Sequence, residues 1–243
     1  MSYDTSNPIL SSKNFARVAS DSAATLQGTI NRCLILLALV FGSAVFAWAS
    51  PSDPLALSQK LTLFMVLGTA TLIVTCVKKE WSAITAPLYA ICEGLILGAV
   101  SKLFEIVYPG IVFQAVTLTF GIAFGVLVLY RTGVIRVTEK FKMVMFSALF
   151  GIFMLYLLSW VLSFLGVSVP FIHSAGIFGI AFTGFVAVIA ALSLAVDFDF
   201  IVNVSDCGMP VHMSWFAAFG LVVGLIYLYV HILRLLAQLR SRN

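Results

Sequence analysis

Three carboxylates stand in or beside stretches that are otherwise almost free of charge: Glu93, Asp197 and Asp199. The last two end the run Ile189-Ala-Ala-Leu-Ser-Leu-Ala-Val-Asp-Phe-Asp-Phe-Ile201, and no Asp, Glu, Lys or Arg occurs from Met143 to Val196. Placing a carboxylate in hydrocarbon costs about 2.5–3.5 kcal/mol on insertion scales. The pair therefore either marks a helix end at the water boundary or lines a polar cavity inside a helix bundle. An acid at a helix C-terminus opposes the helix dipole, which weighs against the first reading. Two positions on a helix are about 200° apart, so Asp197 and Asp199 are expected on different faces, one toward the bundle and one toward water. Carboxylate oxygens suit a hard cation such as calcium, and protons compete with a cation for the same oxygens.

Glu93 lies near the middle of its apolar run, in Ile91-Cys-Glu-Gly-Leu-Ile-Leu-Gly98. Gly94 and Gly98 form a small-xxx-small pair continued by Ser101, a surface that lets another helix approach closely. An acid beside such a surface is expected to face the bundle interior, either as an ion or proton site or as a protonated group hydrogen-bonded between helices. Arg234 stands near the end of the last apolar run, where it either snorkels to the interface or pairs with an interior acid. His173, His212 and His231 have no ligand spacing and read as loop or interfacial residues, so no metal site is assigned. Cys33, Cys76, Cys92 and Cys207 show no CxxC spacing and read as buried, inert thiols. GxSxG, GxGxxG, Walker A, HExxH and GxGD motifs are all missing from the sequence, so no enzyme and no resident cofactor are expected.

The elements that must position these groups are membrane helices. Of the 243 residues, 61% are hydrophobic and only 10% charged, against about 25% charged in a soluble domain. This much apolar surface needs the lipid bilayer as its partner. The net charge of +4 is modest, and no basic patch interleaved with aromatics suggests nucleic acid. Residues 1–27 form a polar tail, 28–239 the transmembrane domain and 240–243 a basic end. Seven apolar segments are predicted: 29–49, 61–77, 83–104, 110–130, two helices dividing 143–196 at Gly166-Val-Ser-Val-Pro-Phe-Ile-His173, and 215–236. The runs are continuous rather than alternating, so strands are not expected. With seven crossings, nine Lys and Arg lie on the side of the tail and five on the other, which places the tail in the cytoplasm. A re-entrant seventh segment divides the charges twelve to two, so the side of the C-terminus stays open.

The residues also resemble a known family. The chain is similar to the longer bacterial branch of the Bax inhibitor-1/YccA family in Ser6-Asn-Pro8, Glu93-Gly-Leu-Ile-Leu-Gly-Ala-Val-Ser101, Pro109-Gly-Ile-Val-Phe-Gln-Ala115, Tyr130-Arg-Thr-Gly-Val-Ile-Arg-Val-Thr138, Pro170-Phe-Ile-His173, Asp197-Phe-Asp-Phe-Ile201, and Trp215-Phe-Ala-Ala-Phe-Gly220 through Ile232-Leu-Arg-Leu-Leu236. The resemblance implies an all-α bundle of seven transmembrane helices, a central helix wrapped by the others, in the bacterial inner membrane. It implies a pH-sensitive calcium leak, in which an aspartate at the cytoplasmic end of helix six pairs with one on helix seven to close the pore. Asp197 matches the first. Helix seven has no acid, and the second aspartate's place falls at about Gly224, which leaves Asp199 or Glu93 to supply the partner. His231 stands where this branch often has Glu. A second implied role is a stress-response modulator or partner of a membrane protease, engaged through the N-terminal tail, with the acids structural. Neither reading specifies the oligomeric state.

Overall fold

The computed structural model describes residues 23–50, 54–164 and 176–242, with the side chains of 54–60 and 164 left aside. Among the described residues, seven α-helices follow one another: α1 Leu26–Ala49, α2 Pro54–Val77, α3 Ser82–Val107, α4 Ile111–Arg131, α5 Glu139–Phe164, α6 Ile177–Asp206 and α7 Val211–Arg240, with one 3-10 turn, Lys79–Trp81, before α3. Six spans, one of them Lys79–Val107, are long and apolar enough to cross a membrane, and Leu61–Val77 of α2 forms a shorter apolar helix. The fold is therefore an all-helical membrane bundle. The expected stretches Ser6-Asn-Pro8 and Pro170-Phe-Ile-His173, together with most of the tail, lie outside the described residues.

Local chemistry sets the helix ends. Thr25 caps α1 by accepting the Gly28 amide at 3.1 Å, and Thr138 caps α5 through the Phe141 amide. The start of α4 is capped from the preceding helix: Glu105 accepts the amides of Gly110 at 2.6 Å and Val112 at 3.1 Å. A carboxylate there also complements the positive end of the helix dipole. Gly110 has φ of 81°, a conformation glycine adopts without strain, so the turn between α3 and α4 suits this residue.

Contacts across the bundle tie its two ends. At one end, the Ala24 amide donates to the Met209 carbonyl at 2.7 Å and Ser82 Oγ donates to the His212 carbonyl. At the other end, Lys102 Nζ donates to the carbonyls of Trp48 and Ser50, and Arg240 Nη1 donates to the Pro109 carbonyl at 2.7 Å. The last helix is continuous over 30 residues, about 45 Å of rise. It is thus long and apolar enough for a full crossing, and its start lies beside Ala24, which precedes α1.

The helices pack as α1 on α3, α2 on α3, and α6 on α7, with α7 also against α1, α3 and α4. The principal neighbour of α5 is α6, where Met145, Ile152, Val186 and Ile189 form a small separate core. Gly94 and Gly98 make the α1–α3 approach close, as their spacing predicts: a Cβ on either would run into Val40, Ser43 or Ala44 of α1. Ser101, in the same row, is bonded to the Tyr229 hydroxyl of α7 at 2.7 Å.

Candidate functional site

The acids do not end helix six. The helix continues to Asp206, so Asp197 lies about two and a half turns inside it. This corrects the placement of Asp197 at the helix end. The chain beyond Val196 has no Pro or Gly before Gly208, and Ile201 and Val204 are buried in the main core. Apolar burial on one face therefore carries the helix past both carboxylates.

Asp197 and Asp199 do point to different faces. Asp199 is half-buried and fully partnered: Lys142 Nζ lies 3.1 Å from its Oδ2, Asn203 Nδ2 donates at 2.9 Å, and Tyr130 Oη donates to Oδ1 at 3.4 Å. These partners come from α5, α6 and α4. Lys142 is shared with Glu139 at 3.0 Å and is a third exposed. Because Lys142 is this accessible and Asp199 keeps two other donors, Lys142→Met should lower stability by only about 0.2–1 kcal/mol, less at high salt. Thermal melts in detergent at two salt concentrations check this.

Asp197 faces α7. A Cβ at Gly224 would stand 2.7 Å from Asp197 Oδ2 and 3.0 Å from Leu194 Cδ2, and one at Gly220 would stand 3.7 Å from Oδ1. The carboxylate is thus seated over a shallow groove made by two glycines one turn apart. It makes no hydrogen bond or ion pair among the described residues. The spacing Gly220-x-x-x-Gly224 repeats that of Gly94 and Gly98 and was the available signal for this surface.

Glu93 is elsewhere. It lies half-buried between α3 and α2, its Oε2 3.5 Å from where a Cβ on Gly68 would be. Its neighbour Gly94 is turned to α1, so Glu93 borders the glycine row without belonging to it. The three acids therefore do not converge, and neither Asp199 nor Glu93 supplies a second carboxylate to Asp197. Among the described residues, no group of three or more His, Cys, Asp or Glu could hold a metal ion.

Arg234 is half-buried, its Nη1 donates to Tyr156 Oη of α5 at 3.4 Å, and among the described residues it pairs with no acid. His231 is buried in the core rather than interfacial, 4% exposed, with Tyr227 edge-on at 4.4 Å and Nδ1 without a hydrogen-bond partner among the described residues. Of the cysteines, Cys33 and Cys92 are buried while Cys76 and Cys207 are exposed, so the reading of all four as buried thiols fails for the second pair.

No curated protein and no solved structure matches the chain. A family model described as Bax inhibitor 1 like matches residues 7–241. That match spans the seven described helices, Asp197 and Asp199 of α6 and the glycine face opposite Asp197, and the chain belongs to the Bax inhibitor 1-like family.

Proposed function

We propose that the protein is a pH-sensitive cation leak, with calcium as the leading cargo and Asp197 as its proton-sensitive group. In this reading α7 is the central helix and the inner membrane of a bacterium is the location, with the N-terminus cytoplasmic. The observation that carries the proposal is the half-buried Asp197 carboxylate, held over Gly220 and Gly224 without a donor of its own. An ionised carboxylate in a bundle draws a cation or a donor to it. Among the described residues none offers either, so a passing cation would meet oxygens that no described group has claimed. Protonation removes the charge and with it the attraction.

With a glycine in place of the second aspartate, no proton is shared between two carboxylates, and the control is a single titration rather than two coupled steps. The proposed sign follows: cation flux is larger with Asp197 ionised and declines as pH falls. Calcium entry into proteoliposomes, measured from pH 6 to 8, should follow a one-proton curve in the wild type. Asp197→Asn should flatten that curve and change the flux several-fold. Equal flux and equal pH dependence in the two proteins would remove Asp197 from the mechanism. A wild-type chain with no flux at any pH would leave the protease-partner reading, in which deletion of residues 1–27 abolishes partner binding.

A further inference from the structure

A cavity of about 370 Å³ lies between α1, α3, α4 and α7, within the range of small-molecule sites, about 300–1,000 Å³. Leu37, Phe41 and Val45 of α1, Leu97 of α3, Val116 of α4 and Leu225 of α7 are among its lining residues. Its wall is almost wholly apolar. The hydroxyls of Ser101 and Tyr229 are bonded to one another at 2.7 Å, and the Thr119 hydroxyl donates to the Ala115 carbonyl at 2.7 Å. Phe41 and Phe120, stacked at 5.8 Å, belong to the lining, yet both are exposed on the outside of the bundle. The cavity therefore communicates with the surface that meets lipid. Water has little to bond to inside it, so an occupant must be apolar.

One end of the cavity carries a charge. Trp48 lines the cavity, and its carbonyl accepts from Lys102 Nζ at 2.9 Å; the ammonium's other acceptor is the Ser50 carbonyl at 3.2 Å. Both acceptors are neutral, and Lys102 has no carboxylate partner among the described residues. An apolar chamber open to lipid, with a cation at its end whose acceptors among the described residues are both neutral, matches an amphiphile with a hydrocarbon tail and a negative head. We propose that the cavity holds one acyl chain of an anionic phospholipid, with the phosphate of its headgroup at Lys102. This site is separate from Asp197 and does not depend on transport.

The full chain, reconstituted with equal amounts of phosphatidylglycerol and phosphatidylcholine and released into detergent, can be weighed intact by native mass spectrometry. One phosphatidylglycerol should remain bound to the wild type. Lys102→Gln should lower the phosphatidylglycerol preference about five-fold, the factor one cation contributes near an anionic headgroup, and Lys102→Arg should retain it. Val116→Phe, which projects into the cavity, should release the lipid, whereas Leu118→Phe, outside the lining, should not. Should Val116→Phe fail to fold, the Lys102 pair decides. Loss of all lipid from the wild type, an unchanged preference in Lys102→Gln, or a dimer whose contact covers the cavity would each overturn the proposal.

Discussion

Gly98→Val is expected to lower stability by about 3 kcal/mol, at the upper end of the usual cost of inserting volume into a packed core. The reason is what the new side chain would meet. A Cβ at Gly98 is directed at the carbonyl of Ala44, with its carbonyl carbon and Cα both 2.8 Å away. These are backbone atoms of α1 and cannot rotate aside, so α1 and α3 must separate. That separation also strips neighbouring contacts, since Gly94 is seated in the same way on Val40 and Ser43. Gly121 is the internal control, because a Cβ there meets nothing within 4 Å. Gly121→Val carries the same change in helix propensity without the clash. Unfolding in mixed detergent micelles followed by circular dichroism should separate the two variants clearly. Coincident curves would mean that the α1–α3 contact is not held by the glycine row.

Gly224→Ala is expected to cost about 1–3 kcal/mol, and the cost should depend on Asp197. The added methyl falls 2.7 Å from Asp197 Oδ2 and 3.0 Å from Leu194 Cδ2. Unlike the backbone at Ala44, these are side-chain ends and can move. The carboxylate, however, has no partner among the described residues to move toward. In an Asp197→Ala background the space is empty and the methyl should be nearly neutral. A double-mutant cycle should therefore give a coupling of about 1 kcal/mol or more between positions 197 and 224. Gly220→Ala, where the approach is an ordinary 3.7 Å contact, should add little in either background. Additive effects of Gly224→Ala and Asp197→Ala would show that the carboxylate is not seated on Gly224 in solution.

The contrast between these glycines shows how far the pattern of residues could be read. The Gly94–Gly98–Ser101 row was legible as a helix contact because three- and four-residue spacing fixes which side chains share a face. Its partner was not legible: nothing in the spacing says that α1, rather than α2, lies against it. Glu93 shows the same division. Its position in mid-helix was plain, but the expectation that it faces the bundle interior held only in part, because one residue is about 100° of rotation and turns it toward Gly68 of α2.

The sequence by itself determined that this chain lives in a membrane and crosses it as helices, because lipid demands about 20 consecutive apolar residues and forbids unpaired backbone. It also determined that Asp197 and Asp199 could not act on one face. Only the tertiary structure decided where α6 ends and which acid is free. Lys142 and Tyr130 are distant from Asp199 along the chain and reach it only when α4, α5 and α6 assemble. Once they do, Asp199 is compensated and the helix runs on to Asp206. Asp197, turned to the glycines of α7, has no compensating group among the described residues, and that difference is a property of packing and not of either residue.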